Sequence, residues 1–148
     1  MKTYNIKNEK QTLSIAQKIA AQISAPCFIA LSGDLGAGKS VLARAIIQNI
    51  SNNPSQDVPS PTFTLVQQYE TERGLIWHFD LYRLDQDIDV HELGWDDALF
   101  DGICLVEWPE RAGDLLPEDR IDINLKVINA NERIMTITAQ GETAAYEL

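Results

Sequence analysis

Cys27-Phe28-Ile29-Ala30-Leu31-Ser32-Gly33-Asp34-Leu35-Gly36-Ala37-Gly38-Lys39-Ser40-Val41-Leu42 is the stretch from which the rest of the chain can be read. Residues 27–31 form a continuous apolar run, the pattern of a strand covered on both faces. Beyond it, Val41, Leu42, Ala45, Ile46 and Ile50 recur at helical spacing. Between strand and helix, Gly33, Gly38, Lys39 and Ser40 satisfy the pattern G-x-x-x-x-G-K-[ST], with Asp34, Leu35, Gly36 and Ala37 in the variable places. Each fixed position has a physical reason. Glycine lets the backbone turn with positive φ and leaves no Cβ between the chain and a phosphate. Successive N–H groups then point into the concavity, and the helix adds the positive end of its dipole. Lys39 is placed to reach the β- and γ-phosphates, and the Ser40 hydroxyl to ligate Mg²⁺. The segment therefore predicts a bound nucleoside triphosphate with magnesium, and its hydrolysis.

Outward from this loop, the pattern is that of an α/β chain. Lys2–Ile6 reads as a short first strand, and Asn8 as the cap of a helix marked by Thr12, Ile15, Ala16, Ile19 and Ile23. After the loop helix comes a polar segment with three prolines, residues 51–61. Residues 62–67 and 75–81 read as two strands joined by a tight turn, hence an antiparallel hairpin. Residues 87–100 read as an acidic helix, 103–106 as a buried strand ending at Glu107, and 109–116 as a short helix. Residues 120–128 and 133–138 alternate apolar and polar positions and predict a second antiparallel pair across a turn at 129–132. The sum is one domain over residues 1–148 with a P-loop NTPase-like fold. A mixed β-sheet is sandwiched by helices, with an antiparallel hairpin after the phosphate-loop helix.

Magnesium at such a loop calls for a carboxylate at the end of a neighbouring buried strand. Two are available. Glu107 ends Ile103-Cys104-Leu105-Val106-Glu107, the cleaner buried pattern, while Asp80 ends a run that His78 interrupts. This favours Glu107 for the metal and Asp80 for a place beside it or its water, although the two could be exchanged. Ser60-Pro61-Thr62-Phe63-Thr64 lies where switch-type nucleotidases carry a hydroxyl toward Mg²⁺ and the γ-phosphate, so Thr62 and Thr64 join the candidates. The plainer reading is a proline turn entering a strand. His78, His91, Trp77, Trp95 and Tyr82 read as packing or surface groups, whereas Trp108, next to Glu107, is placed to wall the nucleotide.

The bulk numbers limit the class. At 148 residues and a net charge of −10, the chain lacks the basic surface of proteins that grip nucleic acid unaided, and a basic protein partner suits it better. No apolar run approaches the length of a membrane span and no export signal opens the chain, so a cytoplasmic location is expected. Cys27 and Cys104 sit in apolar runs and read as buried, reduced thiols.

Gly-Asp-Leu-Gly-Ala-Gly-Lys-Ser at 33–40, Ser-Pro-Thr-Phe-Thr-Leu-Val-Gln-Gln-Tyr-Glu at 60–70, His-Phe-Asp-Leu-Tyr-Arg-Leu at 78–84 and Val-Glu-Trp-Pro-Glu-Arg at 106–111 resemble, in this order and spacing, the bacterial TsaE (YjeE) family. The likeness runs from Thr12 to about Arg133. It implies a small P-loop ATPase required for threonylcarbamoyladenosine beside the tRNA anticodon. Such an ATPase works with TsaB and TsaD, follows TsaC, and meets tRNA only through the complex. Carried over, residues 33–40 and Val41 would hold ATP, Ser40 and Glu107 would ligate magnesium, and Asp80 would serve the γ-phosphate or its water. Residues 60–64 would be the switch-like loop, and Thr12 and Arg133 would lie around the adenine. Ser40 stands where many members have Thr; both present a hydroxyl. Two other classes compete. A small-molecule kinase would need an arginine-bearing lid, for which Arg111 and Arg120 are candidates. A GTP-dependent switch would need the guanine-reading N-K-x-D, which is absent. Arg83 and Arg111 are the nearest candidates for an arginine finger in the chain itself.

Overall fold

The computed structural model describes residues 1–84, 89–146 and 148, the side chains of 144 and 145 excepted. The elements run β1 (Lys2–Ile6), α1 (Glu9–Ala20), β2 (Cys27–Gly33), α2 (Lys39–Ile50), β3 (Val66–Thr71), β4 (Gly74–Asp80), α3 (Trp95–Asp101), β5 (Ile103–Glu107), β6 (Arg120–Val127) and β7 (Arg133–Gln140). Short 3-10 turns lie at Val90–Leu93, Pro109–Leu115 and Gly141–Ala145. The seven strands form one sheet in the order β1-β7-β6-β2-β5-β4-β3. Strands β6, β2, β5 and β4 are parallel, while β1, β7 and β3 pair antiparallel at the two sides. This is the mixed α/β sheet that the sequence predicts, with the expected hairpin after the loop helix.

Local chemistry explains the helices. The Asn8 side chain accepts from the Gln11 N–H at 2.9 Å and closes the start of α1, with Glu9 in the first turn favourable to the dipole. Such a cap is worth about 1 kcal/mol. Ala16 and Ile19 of α1 and Leu42, Ile46 and Ile50 of α2 are buried in one apolar cluster, on one face of the sheet, with Ile29, Leu31, Ile76 and Leu105. The other face carries a second cluster around Phe28, Phe79 and Trp95, over which α3 lies. Phe79 and Trp95 meet edge to face with centroids 5.1 Å apart. Cys27 and Cys104 are free thiols, and burial pushes the pKa of each up to about 12. Among the described residues no helix is long and apolar enough to cross a membrane.

Two local expectations give way. Residues 62–65 are a turn and the third strand begins only at Val66. Their β-forming residues favour a strand, but the Leu65 N–H donates to the Pro61 carbonyl at 2.7 Å and Leu65 has φ 69°, which closes a turn instead. The acidic helix expected over 87–100 is two pieces. Gly94, at φ 86°, ends the 3-10 turn and starts α3, while 87 and 88 lie outside the described residues.

Candidate phosphate-binding site

The site gathers at the carboxyl ends of the central parallel strands, where β2 runs into the glycine-rich loop and β4 and β5 stop at Asp80 and Glu107. The two helix starts on this face contrast. Helix α1 is closed by Asn8, whereas α2 begins after Gly38 with no side-chain cap and no acidic residue in its first turn. Its first-turn N–H groups and dipole end are thus left for an anion. Gly38 holds φ 106°, and a Cβ there would meet only open space. Gly33 is different: with φ 137°, a Cβ would collide with the Leu125 carbonyl of β6. The first glycine of the motif therefore serves strand packing as well as the turn.

Lys39 is buried. Its Nζ donates to the Gly33 carbonyl at 2.6 Å and lies 3.4 Å from the centroid of the Trp108 ring. Burial lowers its pKa from the ordinary value, against the pull of Glu107, Glu110, Asp80 and Asp34 toward the charged form. Trp108 adopts φ 58°, unusual for so bulky a residue and costing about 1–3 kcal/mol, and so sets its indole beside Lys39 and Tyr82.

The two strand-end acids are register partners on β4 and β5 and both are buried. Glu107 accepts the Ser40 hydroxyl through Oε1 at 3.3 Å, and its Oε2 lies 2.7 Å from His78 Nε2. Asp80 accepts the Thr62 hydroxyl at 3.2 Å and the Tyr82 N–H at 3.0 Å. Ser60 and Thr62 hydroxyls lie 2.7 Å apart, so a short polar chain leads from the 60–64 turn to Asp80. Thr64 is not part of it. Its hydroxyl accepts from Gln67 Nε2 at 3.0 Å, because the turn aims it back along β3.

Ser40, Glu107, Asp80 and Thr62 offer only oxygen donors, the set that suits Mg²⁺ rather than a softer metal. Among the described residues no group of three His, Cys, Asp or Glu side chains could hold a metal by itself. Two protein oxygens completed by phosphate oxygens and water match how magnesium is usually held.

Beside the loop opens a cavity of about 440 Å³, lined by Asn8, Thr12, Val41, Asn131 and Arg133 together with residues 36–38 of the loop. Its size and position suit the nucleoside half of a nucleotide. Thr12 and Arg133, distant in sequence, both line this cavity. Arg133 also donates to the Ala37 and Gly36 carbonyls at 3.3 and 3.4 Å, bracing the loop. A larger hollow of about 630 Å³, between Pro26, Leu99, Pro117 and Tyr146 at the opposite end of β2 and β5, contains none of the expected residues.

Of the arginines, Arg83 is exposed and stacks on Phe63, 4.8 Å from its ring, and Arg111 is exposed. Arg120 stands at the far end of β6, paired with Asp122 at 3.1 Å. It cannot close over the loop, which removes one of the two lid candidates of the kinase reading. Sequence reasoning missed His78, whose spacing two positions before Asp80 on one strand was the available signal.

Residues 6–135 match the family described as threonylcarbamoyl adenosine biosynthesis protein TsaE. The chain is 37% identical to the tRNA threonylcarbamoyladenosine biosynthesis protein TsaE of Rickettsia felis over 95% of its length and 81% of the relative's. Identity to the protein of the same name from Bacillus subtilis is 33%, over 95% of this chain and 86% of that one. The crystal structure of Bacillus subtilis YdiB superposes with a TM-score of 0.74 at 28% identity, covering 95% of this chain and 86% of that one. The uncapped glycine-rich helix start, the paired strand-end acids and these matches over most of the chain lead to one assignment: the chain belongs to the TsaE family.

Proposed function

We propose that this chain is a single-domain, magnesium-dependent ATPase that serves tRNA threonylcarbamoyladenosine formation together with TsaB and TsaD. The observation that carries the reading is the convergence of Lys39, Ser40 and the first turn of α2 on the ends of β4 and β5. There Ser40 meets Glu107 at 3.3 Å. In this reading the loop amides and Lys39 hold the β- and γ-phosphates, and the 440 Å³ cavity between Thr12 and Arg133 takes the adenosine. Ser40 and Glu107 would hold magnesium, which when bound offsets the charge of the phosphate oxygens. Asp80 orients the attacking water and accepts its proton, and Thr62 keeps the carboxylate turned toward it. Trp108 screens the Lys39 end of the site from solvent.

A switch completes the cycle. Binding draws the 60–64 turn onto the γ-phosphate through Thr62, with Thr64 joining only if the turn rearranges, and hydrolysis releases it. That release resets the TsaB–TsaD complex between turnovers. Leu35 in the loop and Phe63 in the turn stand 70% and 81% exposed, which supports a protein partner against this face. The exposed positions of Arg83 and Arg111 support slow turnover by the isolated chain. A partner that supplies a missing cation would raise the rate by roughly 10³–10⁵-fold. The net charge of −10 supports contact with tRNA only through the partners, and with these a cytoplasmic site of action.

The test is ATP turnover by the purified protein, alone and with the TsaB–TsaD pair, each with and without tRNA. Stimulated release of free phosphate is expected. A phosphorylated small-molecule acceptor in place of free phosphate would make it a kinase, and preference for GTP in competition a guanine-nucleotide switch.

A further inference from the structure

We infer that His78 is a positioning residue for the metal ligand Glu107: it holds one carboxylate oxygen so that the other faces Ser40. This deepens the proposed function and rests on its reading of Glu107 as a magnesium ligand.

His78 lies on β4 between Ile76 and Asp80 in the strand alternation, so all three face the α1 and α2 side of the sheet. Glu107 lies on the same face of β5, two positions beyond the register partner of His78, Leu105. The offset brings the ring diagonally across to the carboxylate. His78 and Glu107 are each only 2% exposed, and Nε2 and Oε2 are 2.7 Å apart. In the proposed arrangement Nε2 carries the shared proton and donates it to Oε2. The other ring nitrogen, Nδ1, is buried with no hydrogen-bond partner among the described residues.

That imbalance is what needs explaining. An imidazole sunk into an apolar face with one nitrogen unsatisfied is costly, and an aliphatic side chain would fill the space at no such cost. The ring is explained by what it does to Glu107. A glutamate at the end of a strand has three side-chain torsions free to swing, while magnesium demands ligand oxygens in near-octahedral places. With Oε2 fixed by His78, the carboxylate plane is set and Oε1 is the oxygen presented to Ser40, 3.3 Å away. The cation that could otherwise compete for Glu107 is engaged elsewhere, because Lys39 donates to Gly33 and lies against Trp108. Among the described residues Asp80 has no matching partner of this kind: its side chain accepts from Thr62 in the 60–64 turn and from the Tyr82 N–H just beyond β4. Hydrogen-bond partners of metal ligands commonly change metal affinity by 10–100-fold.

The experiment is a magnesium chloride titration of ATP binding by the full chain, followed by calorimetry, for wild type, His78→Leu, His78→Gln and Glu107→Gln. His78→Leu is expected to raise the half-saturating magnesium concentration by about 10–100-fold and to leave magnesium-free ATP binding nearly unchanged. His78→Gln, whose amide nitrogen can occupy the place of Nε2, is expected to recover most of the loss. An unchanged magnesium requirement in His78→Leu, or equal weakening with and without magnesium, overturns the proposal while leaving the ATPase reading intact. If Glu107→Gln also leaves the requirement unchanged, the reading of Glu107 fails and the proposal falls with it. A measurement on the wild type guards against a leucine variant that does not fold. The chain has two histidines, so ¹⁵N-histidine spectra compared with a His91→Ala variant assign the His78 ring directly. A slowly exchanging proton on Nε2 supports the proposal; a proton on Nδ1 alone overturns it.

Discussion

The ends of β4 and β5 look alike in sequence and differ in what surrounds them. Each parallel strand stops at a buried acid, and Asp80 and Glu107 are register partners. Glu107 is tied to two regular elements, to Ser40 on α2 and to His78 on β4. Asp80 is tied to irregular chain, through Thr62 in the 60–64 turn and the Tyr82 N–H beyond the strand. Fixed surroundings suit a metal ligand, which must keep its oxygen in one place. A carboxylate linked to a loop suits a group whose task comes and goes with that loop. The difference is the physical basis for giving magnesium to Glu107 and water activation to Asp80 in the proposed function.

The largest expected effect tests what both acids serve. Lys39→Ala should lower kcat/KM for ATP by about 1000-fold, since in the proposed function it removes the charge that holds the phosphates, and unchanged affinity would rule out the loop as the nucleotide site. Next, Asp80→Asn should lower kcat by about 100-fold in steady-state turnover while shifting the magnesium requirement little. Glu107→Gln should do the opposite, weakening ATP binding in the presence of magnesium by about 30-fold and hardly at all in its absence. If calorimetry finds the magnesium effect in Asp80→Asn instead, the two roles are reversed. Thr62→Val sharpens the contrast with the smallest change: loss of one long hydrogen bond to the Asp80 carboxylate, about 1.5 kcal/mol, should slow turnover roughly tenfold with the magnesium titration unmoved.

The contrast also marks what a sequence can convey. Elements carried by local pattern were legible: the strand, loop and helix around residues 33–40, the Asn8 cap, β5, and the β6–β7 pair. The β-forming residues 62–65 misled, because a single backbone bond from Leu65 to Pro61 and a positive φ outweigh their propensity. The pairing of β1 with β7 joins the two ends of the chain, and no local signal encodes such a contact. The site divides the same way. Glycines, lysine and hydroxyl could be read from spacing. His78 could not be distinguished from a packing residue until β4 and β5 were set side by side and its partner appeared.

The close approach of Gly33 to Leu125 has a wider consequence. Strand β6 continues through its turn into β7, whose first residue, Arg133, reaches back to the Ala37 and Gly36 carbonyls. One hairpin therefore grips the glycine-rich segment twice, once by bare backbone at its entrance and once by a guanidinium near its middle. A bulge introduced at either grip must be felt at the other. The shape of the glycine-rich loop is thus inherited from a hairpin remote in sequence, and the loop and the hairpin can be redesigned only as a pair.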